Sequence, residues 1–391
     1  MSDTSPASSG SSVPYWRLSG FYFFYFASLG ALIPYWSLYL KDLNYSARDI
    51  GVMMGLVMAT KIVSPNVWGW IADHTGRSML IVRIGCLLAM IAFAGVFLDD
   101  SYWWLVLVML VFSFFWNAAL PQFEATTLSH LGPHSHRYSG IRLWGSIGFI
   151  VAVAALGPLL DVQGAAILPV IVLALFAGIW LSSLVVPEQA AGYLHLQHEP
   201  LLKVLLKPEV AALLLVCFLM QASHGPYYTF YTIYMEDHGY SRSVIGQLWA
   251  LGVIAEVGVF LLMHRWVLRF GLRTLLLASL VLTVLRWVLI GLFVESAAVM
   301  VFAQILHAAS FGAYHGSAIQ LVHRYFRGRH QGRGQALYSS VSFGAGGAVG
   351  SLLSGLGWDV VGPGAVYLGA GAFALLATVV AWVWIRPVKE K

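Results

Sequence analysis

YLKDLNYSARDIG, residues 39–51, and YMEDHGYSRSVIG, residues 234–246, are two copies of one motif set 195 positions apart. Tyr39, Asp42, Tyr45, Ser46, Ile50 and Gly51 recur as Tyr234, Asp237, Tyr240, Ser241, Ile245 and Gly246. Six identities in thirteen positions, at the same point of each half of the chain, mark two parallel repeats of a single unit. A weaker echo links LLDVQGAA around Asp161 with GWDVVGPGA around Asp359.

The residues around the motif say what the unit is. Of 391 residues, 59% are hydrophobic and 10% charged, against roughly 25% charged in an ordinary soluble domain, and the mean hydropathy is +0.77. That much apolar surface stays out of water only in a bilayer, so a soluble globule is excluded. Cutting at charges, prolines and glycines leaves twelve windows long enough to span: 16–40, 47–72, 79–98, 101–129, 139–161, 165–186, 208–235, 243–266, 273–294, 297–323, 335–356 and 363–386. The expected fold is an all-α membrane protein of twelve transmembrane helices in two six-helix, pseudo-symmetric halves.

The expected organisation is a disordered cytoplasmic tail over 1–15, six-helix bundles over 16–187 and 208–387, and a polar cytoplasmic linker over 188–207. The first window lacks a small-residue cleavage site and reads as a retained span. Of the 22 Lys and Arg, only Lys41, Arg48 and Arg242 fall on one side and Lys61, Arg142 and Arg286 within spans; the rest collect on the side of both termini, which is therefore expected to be cytoplasmic. Cys86 and Cys217 sit in distant apolar runs and imply neither a disulfide framework nor a thiolate metal site. No lysine is followed by Ser or Thr, which excludes a P-loop, and no Ser or Cys sits in an elbow motif, so neither ATP-driven transport nor membrane-enzyme chemistry is expected. His134 and His136 in HSHR lack further ligands, and no metal site is expected there.

GWIADHTGRS, residues 69–78, resembles the loop between spans two and three of the major facilitator superfamily, with Asp73, Gly76 and Arg77 at the family's spacing. Gly76 permits a tight turn, and Asp73 can pair with Arg77 or Arg83 to latch one access state. The second-half loop HRWVLRFGLRT keeps the basic residues without the Asp. RLWGSIGF (142–149), GYSRSVIGQLWALGVIAEVGVF (239–260), LRWVLIG (285–291) and AQILHAASFGAYH (303–315) are similar to the 3-phenylpropionate/proton symporter group, distant relatives of the lactose permease type. The resemblance implies a proton-coupled importer of an aromatic carboxylate in the cell inner membrane. It implies no cofactor beyond the proton gradient, no nucleic-acid partner, and a monomer in lipid carrying a small organic anion.

Lys61, Glu124, Arg142, Glu256 and Arg286 lie within spans. At about 3 kcal/mol each on insertion scales, solitary charges there are costly and mark function unless paired. Glu124 and Arg142 are expected at similar depth on antiparallel neighbours, meeting side by side, with Arg142 clamping a substrate carboxylate and Glu124 holding its fork when the site is empty. Lys61 and Glu256 differ by the repeat offset and form equivalent stations in spans two and eight. Arg286 is expected to need Glu256 or a histidine-bound water. Proton coupling falls to Glu256 with Arg286, His224, His307 and His315 around it, because histidine titrates nearest neutral pH. Trp116 and Tyr228, beside Asn117 and His224, are the aromatic residues expected to sandwich a phenyl ring.

The three cations against two acids favour an anionic substrate. The alternatives are a proton-antiport exporter of amphiphilic compounds, a symporter of a neutral sugar or nucleoside, and a transport-fold sensor that binds without carrying.

Overall fold

The computed structural model describes residues 13–188, 201–326 and 331–386. Most of the expected tail and residues 189–200 of the expected linker lie outside the described residues. The remainder is helix wound back and forth across a bilayer-sized layer.

Spans one to six are Tyr15–Asp42, Ala47–Thr75, Ser78–Ala94 with its extension to Phe97, Tyr102–Leu131, Tyr138–Gln163 and Leu168–Leu184. Spans four and five form one unbroken 62-residue helical segment that reverses through the short turn Gly132–Arg137. Span seven is two helices, Pro208–Ser223 and Gly225–Asp237; spans eight and nine are Arg242–Phe270 and Leu272–Leu292. Span ten runs from Ala297 to Tyr325 and span eleven from Gln331 to Val361, each interrupted by a wider π segment, at Ala308–Ala313 and Ser340–Gly346. Span twelve is Pro363–Trp384. Among the described residues these are twelve spans in two sets of six, and the even number leaves Val13 and Arg386 on one face.

The repeated motif recurs because it performs the same local work twice. Ser46 and Ser241 are the N-caps of spans two and eight, accepting from the Asp49 and Val244 amides at 3.2 and 3.3 Å. The Tyr45 hydroxyl donates to the Asp100 carbonyl and the Tyr240 hydroxyl to the Val294 carbonyl, pinning each copy to the next hairpin on the same face. Ile50 and Ile245 are buried beneath.

That face, opposite the chain ends, is where the halves close on each other. Lys41 Nζ lies 2.5 Å from Asp237 and 3.9 Å from Glu236, and Arg242 lies 3.6 Å from Asp42 and 2.8 Å from Glu236. Asp161 of span five accepts from the Arg242 and Ser243 amides at 2.8 and 2.9 Å, so a carboxylate of one half neutralises the exposed N–H groups that begin a helix of the other. Every ion pair between halves among the described residues lies on this face. One apolar core runs through the first half and across into Phe230, Ile245 and Trp358. A second, around Leu213, Leu276, Leu321 and Tyr338, belongs to the second half alone. Contact between the halves continues away from this face along spans two and eleven, where Gly344 lies against Ile62 and Asn66 donates to Ser340 at 3.5 Å.

Candidate functional site

The buried charges of the second half form a connected chain. Arg286, in the middle of span nine, is fully buried. Its Nε donates to the Ala303 carbonyl at 3.0 Å, Nη1 to His307 Nδ1 at 3.1 Å and Ser310 Oγ at 2.9 Å, and Nη2 to Gln304 Oε1 at 3.3 Å. Its guanidinium carbon also sits 4.2 Å from the Tyr227 ring centre and 4.7 Å from that of Trp287. His307 Nε2 is 3.5 Å from Glu256 Oε2. Because Arg286 has only donors, His307 must present a lone pair at Nδ1; the neutral ring then carries its proton on Nε2, facing Glu256. Of the two partners expected for Arg286, Glu256 or a histidine-bound water, neither touches it directly: the His307 imidazole itself stands between Arg286 and Glu256.

His307 begins the π segment of span ten, where the wider turn stacks His307, Phe311 and His315 along one face, with ring centres 5.6 and 5.7 Å apart. His315 Nδ1 shares a 2.8 Å hydrogen bond with the Tyr338 hydroxyl of span eleven. His224 stands apart from this chain: it closes the first helix of span seven, and its Nδ1–H donates to the Met220 carbonyl at 2.8 Å. Its ring packs edge-on to Trp287 and stacks on Tyr228.

In the first half the expected Glu124–Arg142 ion pair is not formed. Glu124 accepts from the Tyr138 hydroxyl at 3.3 Å, while the Arg142 guanidinium lies over the Phe26 ring, 3.8 Å from its centre, with Tyr22 at 5.7 Å. The aromatic side chains of span one take the place the carboxylate was expected to fill.

Trp116 stacks on Tyr25 at 5.2 Å, in the first half, whereas Tyr228 belongs to the His224 cluster of the second, so the two expected ring partners sit in different aromatic groups. Asn117 donates to Thr60 Oγ1 at 2.9 Å, and Thr60 in turn donates to Ser113 at 3.1 Å, tying span four to span two. Lys61 lines a narrow apolar slot and makes no hydrogen bond or ion pair with a described residue.

At the opposite membrane face Gly76 adopts φ +67° and caps span two, its N–H donating to the Ala72 carbonyl at 2.8 Å. Asp73 and Arg77 are exposed and form no ion pair with a described residue. Arg83, the other expected latch partner, instead donates to the Ser183 and Val186 carbonyls at the end of span six. The sequence reading missed Gln304, Ser310, Tyr138 and Tyr338; all are neutral residues whose importance comes from which charged group they touch.

Twelve spans in two repeats, joined at one face with ionisable groups buried midway, are the architecture of a membrane transporter. Residues 15–369 match the MFS_1 like family, and the chain belongs to it. A probable 3-phenylpropionic acid transporter of Escherichia coli is 29% identical over 365 residues, covering 92% of this chain and 93% of that one. A maltose permease of Geobacillus stearothermophilus is 29% identical over 362 residues, covering 89% of each. Among solved structures, a mutant form of the nucleoside transporter NupG superposes with a TM-score of 0.84 at 16% identity, over 95% of this chain and all of the other. It shares the fold.

Proposed function

We propose that the protein couples proton entry to import of a small aromatic carboxylate across the inner membrane, with both termini cytoplasmic. The observation that carries the proton half is the buried Arg286–His307–Glu256 chain. A carboxylate inside the membrane stays ionised only with compensation, which the His307 N–H and the nearby cations supply. When Glu256 takes a proton, the negative charge beside His307 is removed. Arg142, with Glu124 engaged by Tyr138, is free to receive a substrate carboxylate. In this reading Lys61, Trp116, Asn117 and Tyr228 line the substrate path. His224 and His315 tune the field around Glu256, and Asp73, Gly76 and Arg77 gate the cytoplasmic face. The protein works as a monomer, with no cofactor beyond the proton gradient.

A second reading, symport of a neutral sugar, is favoured by the equal identity of the maltose permease.

Charge bookkeeping supplies the test. An arylpropionate, with a carboxyl pKa of about 4.3, enters at neutral pH as a monoanion, and with one proton the translocated species is neutral. A membrane potential then does no net work on the cycle. The pH difference must do it all, at roughly tenfold accumulation per pH unit. In proteoliposomes, accumulation of 3-phenylpropionate should survive collapse of the potential and vanish with the pH gradient. The opposite result rejects one-to-one symport, and accumulation of maltose instead establishes the second reading.

A further inference from the structure

Arg286 shows what a fully accommodated guanidinium looks like in this protein. It lies over the Tyr227 and Trp287 rings and also finds acceptors along its edge, from Ala303, His307, Ser310 and Gln304. Arg142 has the first part of that arrangement without the second. Its guanidinium carbon lies 3.8 Å over the centre of the Phe26 ring, yet no described residue accepts a hydrogen bond from it or pairs with its charge. Glu124, the acid expected on its fork, accepts from Tyr138 instead. Arg142 is also only half-buried, whereas Arg286 is fully buried.

Gly145 makes the stack possible. It stands one turn after Arg142 on span five, and a Cβ added there would lie 2.7 Å from Arg142 Nη1 and 2.7 Å from Phe26 Cδ2. The spans have little freedom to spread and relieve such crowding. At Gly148 an added Cβ would lie 2.2 Å from the Phe23 carbonyl oxygen, so spans one and five meet there backbone against backbone. A side chain at 145 would therefore be relieved by the flexible end of Arg142, which would leave the ring.

The 3.8 Å separation is that of ordinary carbon contact and leaves room only for a guanidinium lying close to parallel with the ring. In that posture the N–H groups stay in the plane, pointing away from the face that holds them. Two parallel N–H groups in one plane match the two oxygens of a carboxylate. We propose that Phe26 and Gly145 are positioning residues for Arg142, holding its flat side so that its edge is open and oriented for a carboxylate. The proposal rests on the carboxylate reading given above. Binding then costs little further ordering of the arginine, because the stack has already restricted it. The two halves use one unit, a guanidinium on an aromatic face, in two ways: Arg286 is closed by acceptors of the chain, and Arg142 is left open for an acceptor from outside it.

The test is calorimetric binding of 3-phenylpropionate by the purified full-length protein, with Arg142→Lys as the reference variant. Phe26→Leu, which removes the ring face, should weaken binding about tenfold, and Phe26→Tyr, which keeps it, should stay within about twofold of wild type. In proteoliposome uptake the Phe26→Leu loss should fall on KM and leave kcat within a few-fold. Gly145→Ala should weaken binding as Phe26→Leu does, and the double variant should lose little more, because both substitutions dismantle one stack. If Arg142→Lys weakens binding while Phe26→Leu and Gly145→Ala bind as wild type does, the positioning role is overturned and the clamp stands. Equal losses in Phe26→Leu and Phe26→Tyr, or additive losses in the double variant, also overturn it, since they report damaged packing. If wild type does not bind 3-phenylpropionate, or Arg142→Lys binds it equally well, the carboxylate reading falls and the positioning role with it.

Discussion

Glu256 is the residue on which the coupling argument turns, and its position is more telling than its charge. It lies 3.5 Å from Nε2 of a ring whose other nitrogen is held by Arg286, so any change in its ionisation is felt by the guanidinium on the far side of that imidazole. Replacing it by Gln keeps the shape and removes the proton site. Glu256→Gln should therefore abolish accumulation driven by a pH gradient while leaving counterflow exchange within a few-fold of wild type, since exchange need not release the proton. Uphill uptake persisting in that variant would move the proton to Glu124 or a histidine.

Among the elements, span seven shows how the helices are built to approach and to break. It stops at His224 and restarts at Gly225–Pro226, where proline at the first turn forfeits no intrahelical hydrogen bond. The break brings Gly225 against Gly350 of span eleven so closely that an added Cβ would lie 2.1 Å from the Gly350 carbonyl carbon. Side chains are excluded on either side of that contact. Gly225→Ala must push the two spans apart and strip the packing around them, a cost of about 1–3 kcal/mol by analogy with overpacked cores. A lower unfolding temperature in detergent, with transport reduced in parallel, is expected; an unchanged melt would mean that span eleven shifts freely, contrary to its tight seat. The π segments of spans ten and eleven are the complementary device, turning His307 and widening the helix near His315 and Tyr338.

For the molecule as a whole, the charged contacts opposite the described chain ends join the two halves on one face. Arg242 reaches Asp42 of the other half, Glu236 of its own and the Leu160 carbonyl, while Lys41 holds Asp237. Asp359, the echo of Asp161, is exposed and makes no comparable contact, so the fastening is asymmetric even though the fold is pseudo-symmetric. Partly exposed ion pairs contribute only about 0–1 kcal/mol each, so Arg242→Ala should shift the balance between access states by a few-fold instead of inverting it. Spin labels at Asp99→Cys and Glu295→Cys, on exposed loops of this face, would report a larger population of long distances in Arg242→Ala. Identical distributions in both proteins would assign closure to the apolar core alone.

The sequence by itself determined the architecture. Apolar runs of bilayer length can be satisfied only as helices, and the repeated motif encodes local tasks, Ser46 and Ser241 capping helices and Tyr45 and Tyr240 pinning hairpins, that need no knowledge of the rest of the chain. The intramembrane charges were equally legible, since any ionisable residue within a span stands out. Which of them meet was decided by the tertiary structure. Glu124 and Arg142 share a depth, but the rotation of each span about its axis turned one toward Tyr138 and the other onto Phe26. Arg286 and Glu256 come together only through His307, because a π turn re-aims that ring. Hydrophobic length is a property of the chain read in order, whereas azimuth, register and partnership arise only when helices distant in sequence press against one another.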